Sequence, residues 1–266
     1  MKYALVNGEL QEAKPGLNGQ CKNCESTVIA KCGEIKIHHW AHKLIRKCDK
    51  WWENETEWHR AWKNQFPKEW QEVSQRDEHN ERHIADVKTG LGYVIELQHS
   101  PINAEERHSR EKFYKKMVWV VDGSRLSQDK IKFHEVMNGS MIVNGEANQR
   151  RIVTKLSMLL SKWIGSTVPV IFDFNEPILW LILPKTAAGR LYAFNIEREK
   201  FISIMNSISN NDEFGNQINK YIESIEKDEN SLRWRAQNMT PLLLRNIEYR
   251  DEKYDERGKM LARPLL

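Results

Sequence analysis

Long apolar runs are missing from this chain of 266 residues. The nearest approach, "PILWLILP" around Trp180, falls far short of the roughly 20 residues that a membrane helix requires, so no membrane partner is expected. The opening "MKYALVNGELQEAK" has neither the basic region nor the apolar region of a secretory leader, and a cytoplasmic, reducing location is the expectation. Only four cysteines occur, and in such a compartment they read as thiols or metal ligands rather than disulfides. Internal repeats and low-complexity tracts are also lacking, which excludes solenoid and linker-rich architectures.

What is present argues for a folded, soluble protein. Hydrophobic residues make up 40% and include ten tryptophans, while 29% of residues are charged. The length gives room for one large domain or two ordinary ones, with a small module attached. A net charge of +4 favours a polyanionic partner only mildly, because many proteins with this surplus never meet nucleic acid.

The first fifty residues hold all four cysteines and three of the nine histidines, with few apolar runs, as in a module that needs a staple. Cys21 and Cys24 form a C-x2-C pair, followed by "HHWAH". His39 with His42 gives one histidine spacing, and His38 with His42 gives another. Cys32 and Cys48 remain, and each can replace a histidine. Four such donors suit a structural Zn²⁺, and the module is either a staple alone or one that also places Lys43, Arg46 and Lys47 against a nucleic-acid backbone. The tryptophans read chiefly as core, with stacking of Trp40 or Trp52 on an unpaired base the secondary reading.

Beyond the module, "WWENETEWHRAWKNQF" from Trp51 to Phe66 lacks Gly and Pro and reads as a helix ending at Pro67. Its Glu55, His59 and Lys63 fall on one line, within the arc of its tryptophans. Polar groups on an aromatic face must be paired or coordinated. "EWQEVSQ" reads as a strand carrying Glu72, "HIADV" and "YVIELQH" as a hairpin, "NAEERHSREKFYKKM" as a helix and "VWVVDG" as a buried strand. With Val87 opposite Tyr93, Asp86, Glu96 and Gln98 share one face, and the two acids are diagonal neighbours. Either that face meets water, or the carboxylates hold a hard cation such as Mg²⁺.

In the second half, "RRIVTKLSMLLSKWIG" reads as a helix, "VPVIFDF", "ILWLILP" and "RLYAFNI" as strands, and "EREKFISIMNSI" as a helix. The polar tail from Asn210 reads as helical, with "EYRDEKYDERGK" a charged, solvated segment. Whether this half stands alone or continues the same sheet is left open by the pattern.

Together, "CKNC", "HHWAH", "ETEWH" with Lys63, "HIADV", "IELQHSPI" and "REKFYKKMVWVVDG" resemble the competence protein CoiA-like family, whose core is similar to PD-(D/E)xK nucleases. The resemblance spans roughly residues 20 to 125, and "VPVIFDF" with "ILWLIL" more loosely beyond. It implies an α/β fold: a zinc-finger-like module over 1–50, a mixed-sheet PD-(D/E)xK nuclease-like core over 51–125, and a C-terminal α/β extension with a helical tail over 126–266.

It further implies that Asp86 and Glu96 hold a catalytic Mg²⁺ or Mn²⁺, with Glu55 and His59 assisting, and that Cys21, Cys24, His39 and His42 hold Zn²⁺. Gln98 stands where the superfamily has a lysine, so it brings no charge to the transition state. Lys63, Arg110 and Tyr114 are the expected contacts to nucleic acid, with His83 and His99 as further helpers. The implied activity is hydrolysis of DNA phosphodiesters, single- or double-stranded, in recombination, natural transformation or defence against foreign DNA, beside other DNA-processing proteins. A catalytically weak or inactive nucleic-acid-binding adaptor and a ribonuclease are the competing readings.

Overall fold

The computed structural model describes residues 1–44, 48–207 and 211–251, with side chains as far as residue 238. The charged segment "EYRDEKYDERGK" and two of the three expected basic contacts, Arg46 and Lys47, therefore lie outside the described side chains.

The N-terminal module is a five-stranded sheet, which its weak apolar pattern conceals. Strands β1 (Tyr3–Val6), β2 (Glu9–Glu12), β3 (Asn18–Gln20), β4 (Thr27–Lys31) and β5 (His39–His42) pair antiparallel in the order β2-β1-β3-β4-β5. Asn7 and Gly8, both at positive φ, close the first hairpin, a geometry matched to the twist of two-residue turns. The module's buried cluster is small: Met1, Ala4, Ala13, Cys21, Val28 and Trp40. Trp40 is sealed in it and donates to the Gln11 carbonyl at 2.9 Å, so it is no stacking platform; Trp52 is the exposed one of the pair.

The first helix is shorter than its sequence pattern suggests. α1 covers Glu57–Lys63 and begins at Thr56, whose side chain accepts the His59 amide. That cap competes with the helix continuing upstream. Residues 51 to 56 are consequently non-helical, and Trp51 leaves the expected helical face to stack on His83 at 3.2 Å between ring centroids. A single 3-10 turn (Lys68–Trp70) leads to β6 (Gln71–Arg76), β7 (Arg82–Lys88), β8 (Val94–Gln98), α2 (Ala104–Tyr114) and β9 (Met117–Asp122).

The remaining elements are α3 (Ser127–Asn138), β10 (Met141–Val143), β11 (Glu146–Ile152), α4 (Met158–Ser161), β12 (Val170–Asp173), β13 (Ile178–Ile182), β14 (Leu191–Glu197), α5 (Arg198–Asn206) and α6 (Glu213–Asp251). The expected helix over "RRIVTKLSMLLSKWIG" is instead a strand end and one short turn of helix. Arg150, Arg151 and Ile152 pair with Ala193, Tyr192 and Leu191, and Arg151 is held by Asp228 of α6 at 2.5 Å. Tertiary pairing here overrides the helical period.

Nine strands form one mixed sheet, ordered β10-β11-β14-β13-β12-β9-β8-β7-β6. β12 lies parallel to β9, with Val170 opposite Trp119, so the sheet crosses residue 125 unbroken and the C-terminal half extends it. One face is covered by Trp62 of α1, Phe201 and Met205 of α5, and Phe214 and Tyr221 of α6. The other is covered by Tyr114 of α2, Phe133 and Met137 of α3, and Leu160 of α4. No helix among the described residues is long and apolar enough to cross a membrane.

Candidate functional site

Two groups of chemically active side chains stand close together: a thiol and imidazole cluster in the N-terminal module, and a buried set of acids where β7 and β8 part. The cluster brings Cys21, Cys24, His42 and Cys48 together, with donor atoms all within 4.8 Å of one another. Cys48 thus takes the position expected of His39. The strand explains why: on β5, His39 and His42 are three residues apart and face opposite ways. The His39 Nδ1 instead lies 2.9 Å from the Ile37 carbonyl.

The donor set fits zinc. The Cys21 and Cys48 sulfurs are 3.7 Å apart, and the Cys24 sulfur is 3.3 Å from His42 Nε2. Zn–S bonds of about 2.3 Å in a tetrahedron imply a sulfur to sulfur edge of about 3.8 Å. A hydrogen bond from Cys48 holds the Cys21 thiol well below its usual range, at about 4, while that same bond pushes the Cys48 thiol upward. A divalent cation would take both as thiolates.

The acid site begins with a register difference. Val87 is opposite Ile95, not Tyr93, and Lys88 is opposite Val94. A slip of two residues keeps every side chain on its expected face but sets Asp86 directly across from Glu96. Pairing of β7 with β8 ends there. The Asp86 amide donates to Glu96 Oε1 at 3.3 Å, and the Leu97 amide donates to Asp86 Oδ2 at 3.0 Å. The carboxylates therefore satisfy the backbone donors that the ladder no longer uses. Glu96 and Gln98 are each only 3% exposed, which rules out the reading in which this face simply meets water.

Cations arrive from both helices. Lys63 of α1 is 3% exposed, and its ammonium lies 2.9 Å from Glu55, 3.1 Å from Glu72 and 3.6 Å from Asp86. Arg110 of α2 donates to Glu96 Oε2 at 3.1 Å and to the Trp51 carbonyl at 2.7 Å. Glu72, at φ 50°, adopts the left-handed conformation that non-glycine residues rarely take, and it accepts the Lys2 and Tyr3 amides at 2.7 and 3.0 Å. The module's first strand is thereby fastened to the acid site. Together with Asp49 and Glu53, these residues enclose about 60 Å³ of space.

The electrostatics separate the acids. Burial, reinforced by Asp86, pushes Glu96 up to about 8 despite Arg110. Burial also works against Glu72, but Lys63 and the two amides outweigh it and hold that carboxyl at about 2. Glu55 is lowered likewise: burial is overcome by Lys63. Lys63 itself is raised, its burial more than offset by Glu72, Glu55 and Asp86.

Several expected roles change. Glu55 stands ahead of α1 rather than on it, and joins Asp86 through Lys63. Lys63, Arg110 and Tyr114, expected at a nucleic-acid surface, are all buried: the first two are bound to carboxylates, and Tyr114 belongs to the core. His59 is held on both sides, its Nε2 2.7 Å from Glu53 and its Nδ1 2.9 Å from the Thr56 hydroxyl. His83 is fixed by Asp49 at 2.8 Å, and His99 by Asp122 at 2.7 Å.

Glu53 and Asp49 were not anticipated by the sequence. The Thr56 cap is the signal that would have freed Glu53 from the helix; for Asp49 the only sign is its place beside Cys48. Asp49 also accepts the Ile84 amide at 2.7 Å, which ties the thiol cluster to β7 two residues before Asp86.

The fold and its groups thus define a mixed α/β protein with an N-terminal Cys3His metal-type cluster beside a buried acidic fork. Residues 7–50 match the family described as Competence protein CoiA, N-terminal domain, which supports a CoiA-like relationship for that region. No curated protein and no solved structure matches the chain.

Proposed function

We propose that this protein is a metal-dependent nuclease that hydrolyses DNA phosphodiester bonds, in competence-type processing and recombination or in defence against foreign DNA. The observation carrying this reading is the direct opposition of Asp86 and Glu96 in a buried fork, where Glu96 resists ionisation. Two acids set together this way gain most from a divalent cation. Mg²⁺ or Mn²⁺ would be held by Asp86 and Glu96, and would supply an acidified water and charge neutralisation at the scissile phosphate.

The chain's own residues support the rest. Lys63 brings a positive charge beside Asp86 where Gln98 brings none. Arg110 fixes Glu96 Oε2 and leaves Oε1 toward Asp86. In the overall reaction, water adds across one P–O bond: its oxygen joins phosphorus, its hydrogen ends on the departing strand's hydroxyl, and no other reactant is consumed. The zinc-fitting cluster serves as a staple for the wall of the site, and the match to the CoiA N-terminal domain supports the competence setting.

One observation favours the noncatalytic adaptor: Lys63 and Arg110 already pair with the acids that would bind metal. The deciding experiment is cleavage of labelled single-stranded DNA, double-stranded DNA and RNA in Mg²⁺, Mn²⁺ or EDTA, with wild type beside Asp86→Ala. Metal-dependent cutting lost in the variant supports the nuclease and names its substrate. Binding without cutting in both proteins supports the adaptor.

A further inference from the structure

The hydrogen-bond direction at Gln98 is fixed from a distance. The Thr56 backbone amide, which can only donate, lies 3.3 Å from His59 Nδ1, making that nitrogen an acceptor. The ring hydrogen is then on Nε2, which donates to Glu53 Oε1 at 2.7 Å. The other Glu53 oxygen faces Gln98 Nε2 at 3.2 Å, and the same nitrogen reaches the Ser100 carbonyl at 2.8 Å. Both neighbours only accept, so the Gln98 amide has one orientation. Its two hydrogens are spent, and its carbonyl oxygen is buried without a protein partner.

We infer that Glu53 is a positioning residue, locking Gln98 so that its Oε1 accepts a hydrogen bond from a water in the acid site, on the Glu96 face of β8. Position 98 is thus an acceptor, not a phosphate donor, and its partner is a water rather than the substrate's oxygens. A buried acceptor is costly to leave unmade, and alternation along β8 sets Gln98 and Glu96 on one side. The inference deepens the nuclease reading and rests on it for the water's role, while the amide lock is a property of the metal-free chain.

The test has two readouts. In metal-free protein labelled with ¹⁵N, the Gln98 side-chain NH2 is expected to exchange slowly, and Glu53→Ala to speed that exchange; rapid exchange in wild type overturns the lock. In cleavage assays, Glu53→Ala and Gln98→Met are each expected to lower kcat by about 10- to 100-fold with little change in KM, the scale of a small mispositioning. The double variant should be no slower than Gln98→Met alone. Multiplying losses, or a change confined to KM, overturns positioning through Gln98. If wild type cuts nothing in any metal, the nuclease reading and the water's catalytic role fall, and the amide exchange still decides the lock.

Discussion

The thiol cluster and the acidic fork meet opposite electrostatic demands. In the cluster, the sulfurs of Cys21 and Cys48 receive the Asn23 amides, while the neighbouring Lys22 ammonium donates to the Gln71 carbonyl. In the fork, Asp86, Glu72, Glu55 and Glu96 each meet Lys63 or Arg110. The first centre would be completed by a thiophilic cation; the second is closed by its own ion pairs and would have to give up protein contacts to admit a hard one. Compact ligand geometry alone does not signal metal demand. What matters is which charges the protein has already compensated.

The largest effect should come from breaking the first centre. Cys48→Ser, or chelation, is expected to remove zinc and unfold the N-terminal sheet, since structural zinc in small modules contributes on the order of 10 kcal/mol. His39→Ala should retain one zinc per chain and an unchanged Tm. Metal analysis with thermal melts separates the two, and zinc loss in His39→Ala would restore the original ligand set. Breaking the second centre should cost less. Lys63→Met leaves three carboxylates facing one another, and removing one partner of a buried pair costs about 3–5 kcal/mol, measured here by urea unfolding in EDTA. Zinc content should not change.

How far each centre could be read from sequence follows from the range of its contacts. The C-x2-C pair and His42 are local signals, and they make three of the four residues of the possible metal-binding cluster legible. Cys48 was only one of two spare thiols, because its role depends on how the chain after β5 folds back. Strand alternation assigned Asp86, Glu96 and Gln98 to a common face, and the core order from β6 to β9 followed from turns and apolar runs. The two-residue register slip did not, since it leaves the pattern of faces unchanged. Glu53 was hidden because local propensity continued the helix through Trp51, whereas the Thr56 cap began it later. The β1 to β5 sheet and the α3 helix were missed where short or mixed segments gave no clear period.

Smaller effects sharpen the fork's side of the comparison. Burial and the neighbouring Asp86 push the Glu96 carboxyl up to about 8 in the folded chain, against an ordinary 4.5. The folded state therefore holds the extra proton between those values, so this group's stabilisation is complete below about 4.5 and lost as pH rises through 8. Glu96→Gln should remove that fall, so that the variant gains stability over wild type at pH 9 and little at pH 5 in the metal-free protein. It should also abolish any rise in Tm on adding Mg²⁺. A wild-type stability that stays level from pH 5 to 9 in EDTA would mean that Arg110 already compensates Glu96 in full.

Thr56→Ala should give the smallest change, because it removes one cap and leaves every charged partner in place. Loss of a threonine N-cap costs about 1 kcal/mol. Here the hydroxyl also meets His59 Nδ1, so the variant loosens the histidine that braces Glu53 while the thiol cluster stays intact. Urea unfolding should report that modest loss, and zinc content should stay at one per chain. Mg²⁺-dependent stabilisation should weaken only slightly, since Asp86 and Glu96 lie on strands rather than on the capped helix. A collapse of Mg²⁺ response in Thr56→Ala would instead mean that the residues preceding α1, Glu53 and Glu55, hold the cation, shifting the hard-metal centre from the strand fork to the helix entrance.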